Sequence, residues 1–183
     1  MSNLQNASLV LNTYSGTDSS TGSIKTSHTW NNINLRTLLG DMYNKYDMFN
    51  ICLNTVATEP STTGFTNAST DSQVIMRISG LPFINNTYNI TSTNNYNSTN
   101  CVIGTFTFAI GGIATQYFYG SNIATFGKSQ ELCNITIDYI RVSDLAQPQI
   151  ASGKKFPNCT FIFDIFGIDK DDKNQNGTRI NIN

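Results

Sequence analysis

Charge of either sign is scarce in this chain. Asp, Glu, Lys and Arg together make up 13% of its 183 residues, about half of the share that is usual in globular domains. The 11 basic residues are scattered and are balanced by 12 acidic ones, so the chain lacks the basic stripe of a nucleic-acid-binding protein. We therefore expect no nucleic-acid partner. The low charge suits a protein that packs against other protein.

Residues and motifs that carry chemistry are also scarce. His28 is the only histidine, whereas a metal enzyme with histidine ligands needs several. The sequence has neither the Gly-x-Ser-x-Gly elbow of a hydrolase nor a phosphate-binding loop. Residues 172–177 begin like a calcium-binding loop, but its twelfth position is Asn183 where a bidentate Glu is required. We expect no catalytic residue, no metal and no cofactor.

The cysteines and the N-terminus give no sign of secretion. Cys52, Cys101, Cys133 and Cys159 lack the short spacing of a zinc or redox motif. They lie in or beside β-forming runs, where cysteine acts as a small apolar residue, and we interpret them as reduced thiols in a reducing compartment. No signal-peptide pattern is present, and no apolar run approaches the ~20 residues of a membrane span. We expect no direct insertion into a membrane.

The chain is rich in short alternating runs of Val, Ile, Phe and Thr, separated by loops of Asn, Ser and Thr. Alternation with a period of two residues predicts strands that are buried on one face. Eight such runs are present, at residues 7–14, 24–33, 48–55, 73–79, 102–110, 115–119, 132–142 and 159–168. The sequence therefore predicts an all-β fold, an eight-stranded antiparallel jelly-roll sandwich.

One segment has a different period. Apolar residues recur at steps of three and four over residues 35–46, which predicts one short helix with Asn34 as its cap. Gly40 lies in the middle of this run and disfavours helix by about 1 kcal/mol relative to Ala, so we expect a short or irregular helix. The chain length fits a single jelly-roll domain over residues 1–168. The polar C-terminal tail at residues 169–183 is expected to be mobile.

Three segments are candidates for contacts with other molecules. The loop at residues 85–100 is long for a compact domain. The aromatic residues at 117–119 are consecutive, so they cannot all face one core. Residues 159–168 are apolar on both faces, and the face away from the core needs cover from a neighbouring element or another subunit. The predicted interface residues are Tyr88, Tyr96, Tyr117, Phe118, Tyr119, Ile162, Asp164 and Phe166.

Three stretches of the chain resemble small capsid proteins of nucleocytoplasmic large DNA viruses. They are residues 30–47 (WNNINLRTLLGDMYNKYD), 133–142 (CNITIDYIRV) and 156–167 (FPNCTFIFDIFG). The resemblance spans about residues 30–168 and carries no catalytic motif. It implies a single jelly roll that is a penton or a minor capsid protein, assembled in host cytoplasm and located in the virion capsid. The implied partners are copies of itself, as a homopentamer if it is a penton, and the major or minor capsid proteins.

Two other functions remain open. A carbohydrate-binding jelly roll, such as a lectin or a fibre head, would use exposed Tyr, Trp and Asn side chains to stack on sugars and bond to their hydroxyl groups. A β-sandwich glycosidase would use Asp138 or Asp164, the two carboxylates that fall within apolar runs. We favour a structural protein that is not an enzyme, because the chain has no cluster of catalytic residues.

Overall fold

A computed structural model describes most of the chain, and its residues form a two-layered β-sandwich. The described ranges are 6–13, 17–21, 24–58, 65–81, 88–90, 95–97, 101–109, 112–118, 122–128, 132–151 and 156–168. Two five-stranded antiparallel sheets face each other across one hydrophobic core, and a two-stranded hairpin forms a third, separate sheet. The predicted all-β antiparallel sandwich is confirmed.

Twelve strands and three short helices lie within the described residues. In chain order they are β1 (Asn6–Asn12), β2 (Thr17–Thr21), β3 (Ile24–Asn34), α1 (Leu35–Leu39), α2 (Asp41–Lys45), β4 (Met48–Thr58), α3 (Ala68–Asp71), β5 (Gln73–Ser79), β6 (Tyr88–Ile90), β7 (Asn95–Asn97), β8 (Cys101–Thr107), β9 (Thr115–Tyr117), β10 (Asn122–Gly127), β11 (Leu132–Arg141) and β12 (Cys159–Ile168). Sheet I has the order β1-β12-β4-β10, and β9 also pairs with β4. Sheet II has the order β2-β3-β11-β5-β8, and β6 pairs with β7.

The strand pairing is that of a long hairpin that has been rolled up. From the outermost strands to the innermost, β1 pairs with β12, β3 with β11, β4 with β9 and β10, and β5 with β8, all antiparallel. This nested pairing in two sheets is the jelly-roll arrangement. All eight predicted runs overlap strands of this framework.

The predicted strand count of eight is too low. The described residues add β2 to the edge of sheet II, add the β6–β7 hairpin, and continue the edge of sheet I with β10 after β9. The sequences of β2 (TDSST), β6 (YNI) and β7 (NYN) are too short or too polar to show an alternating apolar face. The prediction from periodicity therefore finds most of the framework strands and misses these additions, among them β10 of the framework, in which Ala124 and Phe126 are buried.

Inward-facing residues of both sheets build the core. On β12 every second residue from 159 to 165 is buried, and on β11 Ile137 and Tyr139 are buried in the same way. Trp30 of sheet II meets Phe161 of sheet I edge-on, with 6.1 Å between the ring centroids. Full burial of one such apolar side chain contributes roughly 1.5–3 kcal/mol. A shift of one residue would turn these side chains outward, so the core fixes the register of each strand.

The predicted helix is present but is divided in two. Asn34 caps α1 as expected, because its side-chain oxygen accepts a hydrogen bond from the backbone N–H of Thr37 at 3.0 Å. Gly40 adopts φ 52° and ψ −125°, which lies outside the α-helical region, so α1 ends there and α2 begins after it. The expectation of a single helix is also corrected by α3, a four-residue helix that Asn67 caps.

His28 lies in the core of the sandwich. It is buried, and its ring centroid lies 5.9–6.3 Å from those of Trp30, Tyr139 and Phe156. Over the described ranges, no group of three or more metal-ligating side chains lies together, and no helix is long and apolar enough to cross a membrane. The predicted tail at residues 169–183, including the calcium-loop-like segment, lies outside the described residues.

Candidate functional site

The outer face of sheet I is the surface formed by the outward-pointing side chains of its five strands. This face is partly apolar: Val10 is 57% exposed, Tyr117 is 61% exposed, and Ile162 and Phe166 are partly exposed. Asp164 is the only charged residue in the five strands as the structure bounds them. Contiguous exposed apolar side chains with little charge are typical of a contact surface.

Four of the predicted interface residues meet in one depression on this face. Tyr117, Phe118, Asp164 and Phe166 line a depression of about 230 Å³, and residues 52–54 of β4 contribute to the same lining. These residues come from β4, from β12 and from the end of β9, which are adjacent in the sheet. The structure therefore brings together side chains that lie more than forty positions apart in the sequence.

A bulge in β4 positions one polar residue of the depression. The pairing of β12 with β4 shifts register between Ile162 and Phe163, and Asn54 is the extra residue of β4 at this point. The backbone carbonyl of Asn54 accepts a hydrogen bond from the N–H of Phe118 at 2.7 Å. Its side-chain Nδ2 donates to Oδ2 of Asp164 at 2.6 Å. The bulge thus aims the Asn54 side chain at Asp164, as bulges often do beside functional sites.

Asp164 is held by neutral hydrogen-bond donors. Asn54 donates to its Oδ2, and the hydroxyl group of Ser8 donates to its Oδ1 at 3.4 Å. Thr55 fixes the amide of Asn54 in turn, donating to its Oδ1 at 2.6 Å. No Lys or Arg of the described ranges forms an ion pair with Asp164. An ionised carboxylate accepts about four hydrogen bonds, so Asp164 has room for further donors.

The negative charge of Asp164 affects the thiol pKa of the neighbouring residue Cys52. Burial raises the pKa of the Cys52 thiol, and the negative charge of Asp164 raises it further. Cys159 lies in the core, where burial raises the pKa of its thiol well above the usual range. Neither of these two residues is in a disulfide. The side chains of Cys101 and Cys133 are not among those that the structure describes.

The Asp164→Asn substitution is expected to speed the alkylation of Cys52 by a factor of a few. The thiolate is the reactive form, and removal of the neighbouring negative charge lowers the thiol pKa and so increases the thiolate fraction at pH 8. Peptide-level mass spectrometry after timed iodoacetamide treatment measures the rate. Alkylation of buried Cys159 should be slow in both proteins, which makes it the internal control. An unchanged Cys52 rate would contradict the influence of Asp164.

The consecutive aromatic residues separate as the sequence predicts. Tyr117 points out of sheet I, whereas Phe118 packs against the core. The Phe118 ring lies over Gly104 of β8, where an added Cβ would come within 2.4 Å of Cε1 of the ring. A glycine at this position of sheet II leaves room for the Phe118 ring between the two sheets.

Three predicted interface residues are not tested by the described side chains. Tyr88 and Tyr96 lie in the β6–β7 hairpin, within the segment predicted as a long loop, and their side chains fall outside the description. Tyr119 lies outside the described residues. Ile162 lies on the outer face beside the depression and is partly exposed. A role in an interface stays a prediction for all eight residues.

The two carboxylates of the glycosidase alternative are not brought together. Asp138 points outward from sheet II, between buried Ile137 and Tyr139. There it accepts two hydrogen bonds from Arg77, from Nε at 2.9 Å and from Nη2 at 2.5 Å. Asp164 points outward from sheet I. A glycosidase needs two carboxyl groups within about 5–10 Å around one bond, and residues on opposite outer faces of a sandwich do not form such a pair.

A comparison of the sequence with protein-family models found no match, and a comparison with curated proteins found none either. The resemblance of residues 30–168 to small viral capsid proteins therefore stays a prediction. The function has to be argued from the jelly roll and from the outer face of sheet I.

Proposed function

We propose that this protein is a structural capsid subunit, a single jelly roll that serves as a penton or a minor capsid protein of a large DNA virus. The observation that carries the proposal is the outer face of sheet I. It combines exposed Val10 and Tyr117 with partly exposed Ile162 and Phe166, and its strands hold a single charge. When another protein covers a surface of this kind, the burial of its apolar area lowers the free energy of the complex.

The mechanism is assembly by repeated contacts. In a penton, five copies meet head-to-tail around one axis, so that one patch of each copy contacts a different patch of the next, and the ring closes. Each contact can be weak, because the shell repeats it many times and the effective concentration of neighbouring copies is high. The other partners are the major or minor capsid proteins. The reduced cysteines suit assembly in the reducing cytoplasm of a host cell.

A carbohydrate-binding module is the second candidate, and the depression favours it. Tyr117, Phe118 and Phe166 line the depression together with Asn54 and Asp164, whose side chains are hydrogen-bonded to each other. Rings that stack on a sugar and polar groups that bond to its hydroxyls are the chemistry of such sites. Selective binding on a glycan array, by a protein that stays monomeric, would favour this candidate over the capsid subunit.

The mass of the purified full-length chain in solution tests the capsid proposal. Light scattering over a range of protein concentrations is expected to show a closed oligomer, a pentamer if the protein is a penton. A map of the virus particle should then show the protein at the icosahedral vertices or beneath the major capsid shell. A monomer at every concentration that never joins particles would contradict both capsid roles.

A further inference from the structure

The one charge in the strands of sheet I has no countercharge among the described side chains. Asp164 is partly buried, and its described partners Asn54 and Ser8 are neutral. On sheet II, by contrast, the outward-facing carboxylate of Asp138 forms a two-point ion pair with Arg77, and both side chains are less than a fifth exposed. Partly desolvated carboxylates are usually paired. Asp164 departs from this rule at the centre of a surface that already resembles an interface.

The rings around Asp164 select a cation. Tyr117, Phe118 and Phe166 line the depression with the carboxylate, and no basic residue contributes to that lining among the described side chains. The faces of aromatic rings attract a cation, and the carboxylate adds an opposite charge. A guanidinium group fits both features better than an ammonium group, because it is planar, stacks on rings and donates two parallel hydrogen bonds to a carboxylate.

Arg36 carries a guanidinium group that is exposed and without a countercharge. Arg77 is paired with Asp138, and Arg141 is paired with Asp71 and Asp144. Arg36 on α1 is exposed, and its described contact is with the ring of Tyr43, 5.7 Å from the centroid. Over the described ranges no carboxylate pairs with Arg36. Within the described residues, one copy of the chain therefore presents a cation and an anion that are not paired with an opposite charge.

We propose that the depression around Asp164 receives the Arg36 side chain of a neighbouring copy, with the guanidinium group paired to the carboxylate and stacked on the outward-facing rings of Tyr117 and Phe166. This inference rests on the proposed capsid function, because it requires copies of the chain to meet. The contact joins two different patches, so it is heterologous, which is the type of contact that a ring of five copies requires. Val10 and Ile162 continue the outer face beyond the depression, so a protein neighbour covers more of this surface than a small cation does.

The first experiment tests whether the depression around Asp164 binds a guanidinium group, and it does not require the protein to self-associate. The full-length protein is titrated with N-acetyl-arginine amide, followed by NMR shifts of the Asn54 side-chain amide and of the Tyr117 ring. The neutral isostere N-acetyl-citrulline amide should bind at least about fivefold more weakly, and the arginine affinity should fall by a similar factor in Asp164→Asn. Asp144→Asn removes the same charge from an exposed corner of the molecule and should leave the affinity unchanged.

The second experiment tests the occupant. Sedimentation of the full-length protein measures its self-association, which Arg36→Gln and Asp164→Asn should each weaken at least about fivefold, while Asp144→Asn should not. Combining the two substitutions should add little to either alone, since both remove one contact. Weakening by Asp164→Asn with no effect of Arg36→Gln would overturn Arg36 as the occupant and indicate a cation from elsewhere.

The two proposals fail in different ways. If the protein forms oligomers but neither substitution changes them, the pairing inferred here is wrong and the capsid role stands. If the protein binds the arginine amide but never self-associates, the depression is a cation site. In that case both the neighbouring copy as its occupant and the pentameric role are wrong. Shifts of Tyr117 and Asn54 with methyl glucoside but not with the arginine amide would overturn the cation site in favour of a sugar site.

Discussion

Replacement of Gly80 by alanine is expected to lower the free energy of unfolding by several kcal/mol, which is much of the ~5–15 kcal/mol that holds a typical domain together. Gly80 follows β5 and has φ +92°, a conformation that other L-residues rarely adopt. An added Cβ would lie 1.7 Å from the backbone oxygen of Asn134 and 2.9 Å from its carbonyl carbon. Those atoms belong to β11, which pairs with both β3 and β5. Because the clash is between backbone atoms, relieving it requires the backbone of β11 or the end of β5 to shift.

Alanine substitutions at two other glycines distinguish the cost of the steric clash from the cost of backbone strain. Gly40 has φ +52° but nothing within 4 Å of its added Cβ, so Gly40→Ala should lose only the strain, about 1–2 kcal/mol. Gly112 has no positive φ, and the nearest atom to its Cβ is that of Ala109 at 3.7 Å, so Gly112→Ala should change little. Urea unfolding followed by Trp30 fluorescence measures all three variants. A Gly80→Ala midpoint close to that of Gly112→Ala would show that the close approach to β11 is wrong.

Most framework strands were predictable because each buries one face. Residues 133–139 alternate, with Ile135, Ile137 and Tyr139 apolar, and a register error there would expose all three. The hairpin of β6 with β7 was not predictable, since its polar sequence carries no such pattern. Gly40 made a short or irregular helix predictable, because helix propensity is a local property, but it did not predict two separate helices. The four residues of α3 are too few to show a helical period.

The candidate site was predictable only in part. Alternation along β12 was enough to place Ile162, Asp164 and Phe166 on one face, since that placement depends on a period of two alone. Their meeting with Tyr117 depends on the pairing of β9 with β4, which no local pattern encodes. The contact of Asn54 with Asp164 was not predicted, because in the sequence the period-two pattern of β4 runs on unbroken from Leu53 to Thr55 and so hides the bulge at Asn54. The change of phase between buried Leu53 and buried Val56 was the one available signal of the bulge.

The buried carboxylate of Asp71, outside the candidate site, connects three segments at one end of the sandwich through hydrogen bonds. Asp71, at the end of α3, is 1% exposed, and its Oδ1 accepts hydrogen bonds from the backbone N–H of Gln149 at 3.0 Å and from Nη1 of Arg141 at 3.0 Å. Its Oδ2 accepts a hydrogen bond from the backbone N–H of Asn67 at 2.8 Å. One side chain thus connects α3, the end of β11 and the segment that follows β11. No sequence pattern predicts this role for Asp71.

Asp71→Ala is expected to lower the free energy of unfolding by about 3 kcal/mol, because it removes the acceptor for two backbone N–H groups and one partner of Arg141. Arg141 keeps Asp144, whose hydrogen bonds are the main reason for the raised pKa of the guanidinium group. The loss should therefore come mainly from the two amides. Asp71→Asn keeps one side-chain oxygen as an acceptor and should be destabilised less than Asp71→Ala.

Asp144→Asn is the matched control, because Asp144 pairs with the same arginine from an exposed position. Arg141 and the turn at Ala146 hold the pKa of the Asp144 carboxyl below its usual value. Its contribution to stability is therefore present at neutral pH and is lost as the pH falls through that lowered pKa. Solvent weakens this exposed pair, so the unfolding midpoint in urea at pH 7 should move far less than in Asp71→Ala. Equal shifts for the two substitutions would mean that Arg141 pairing, and not the acceptance of backbone N–H groups by Asp71, holds this end of the sandwich.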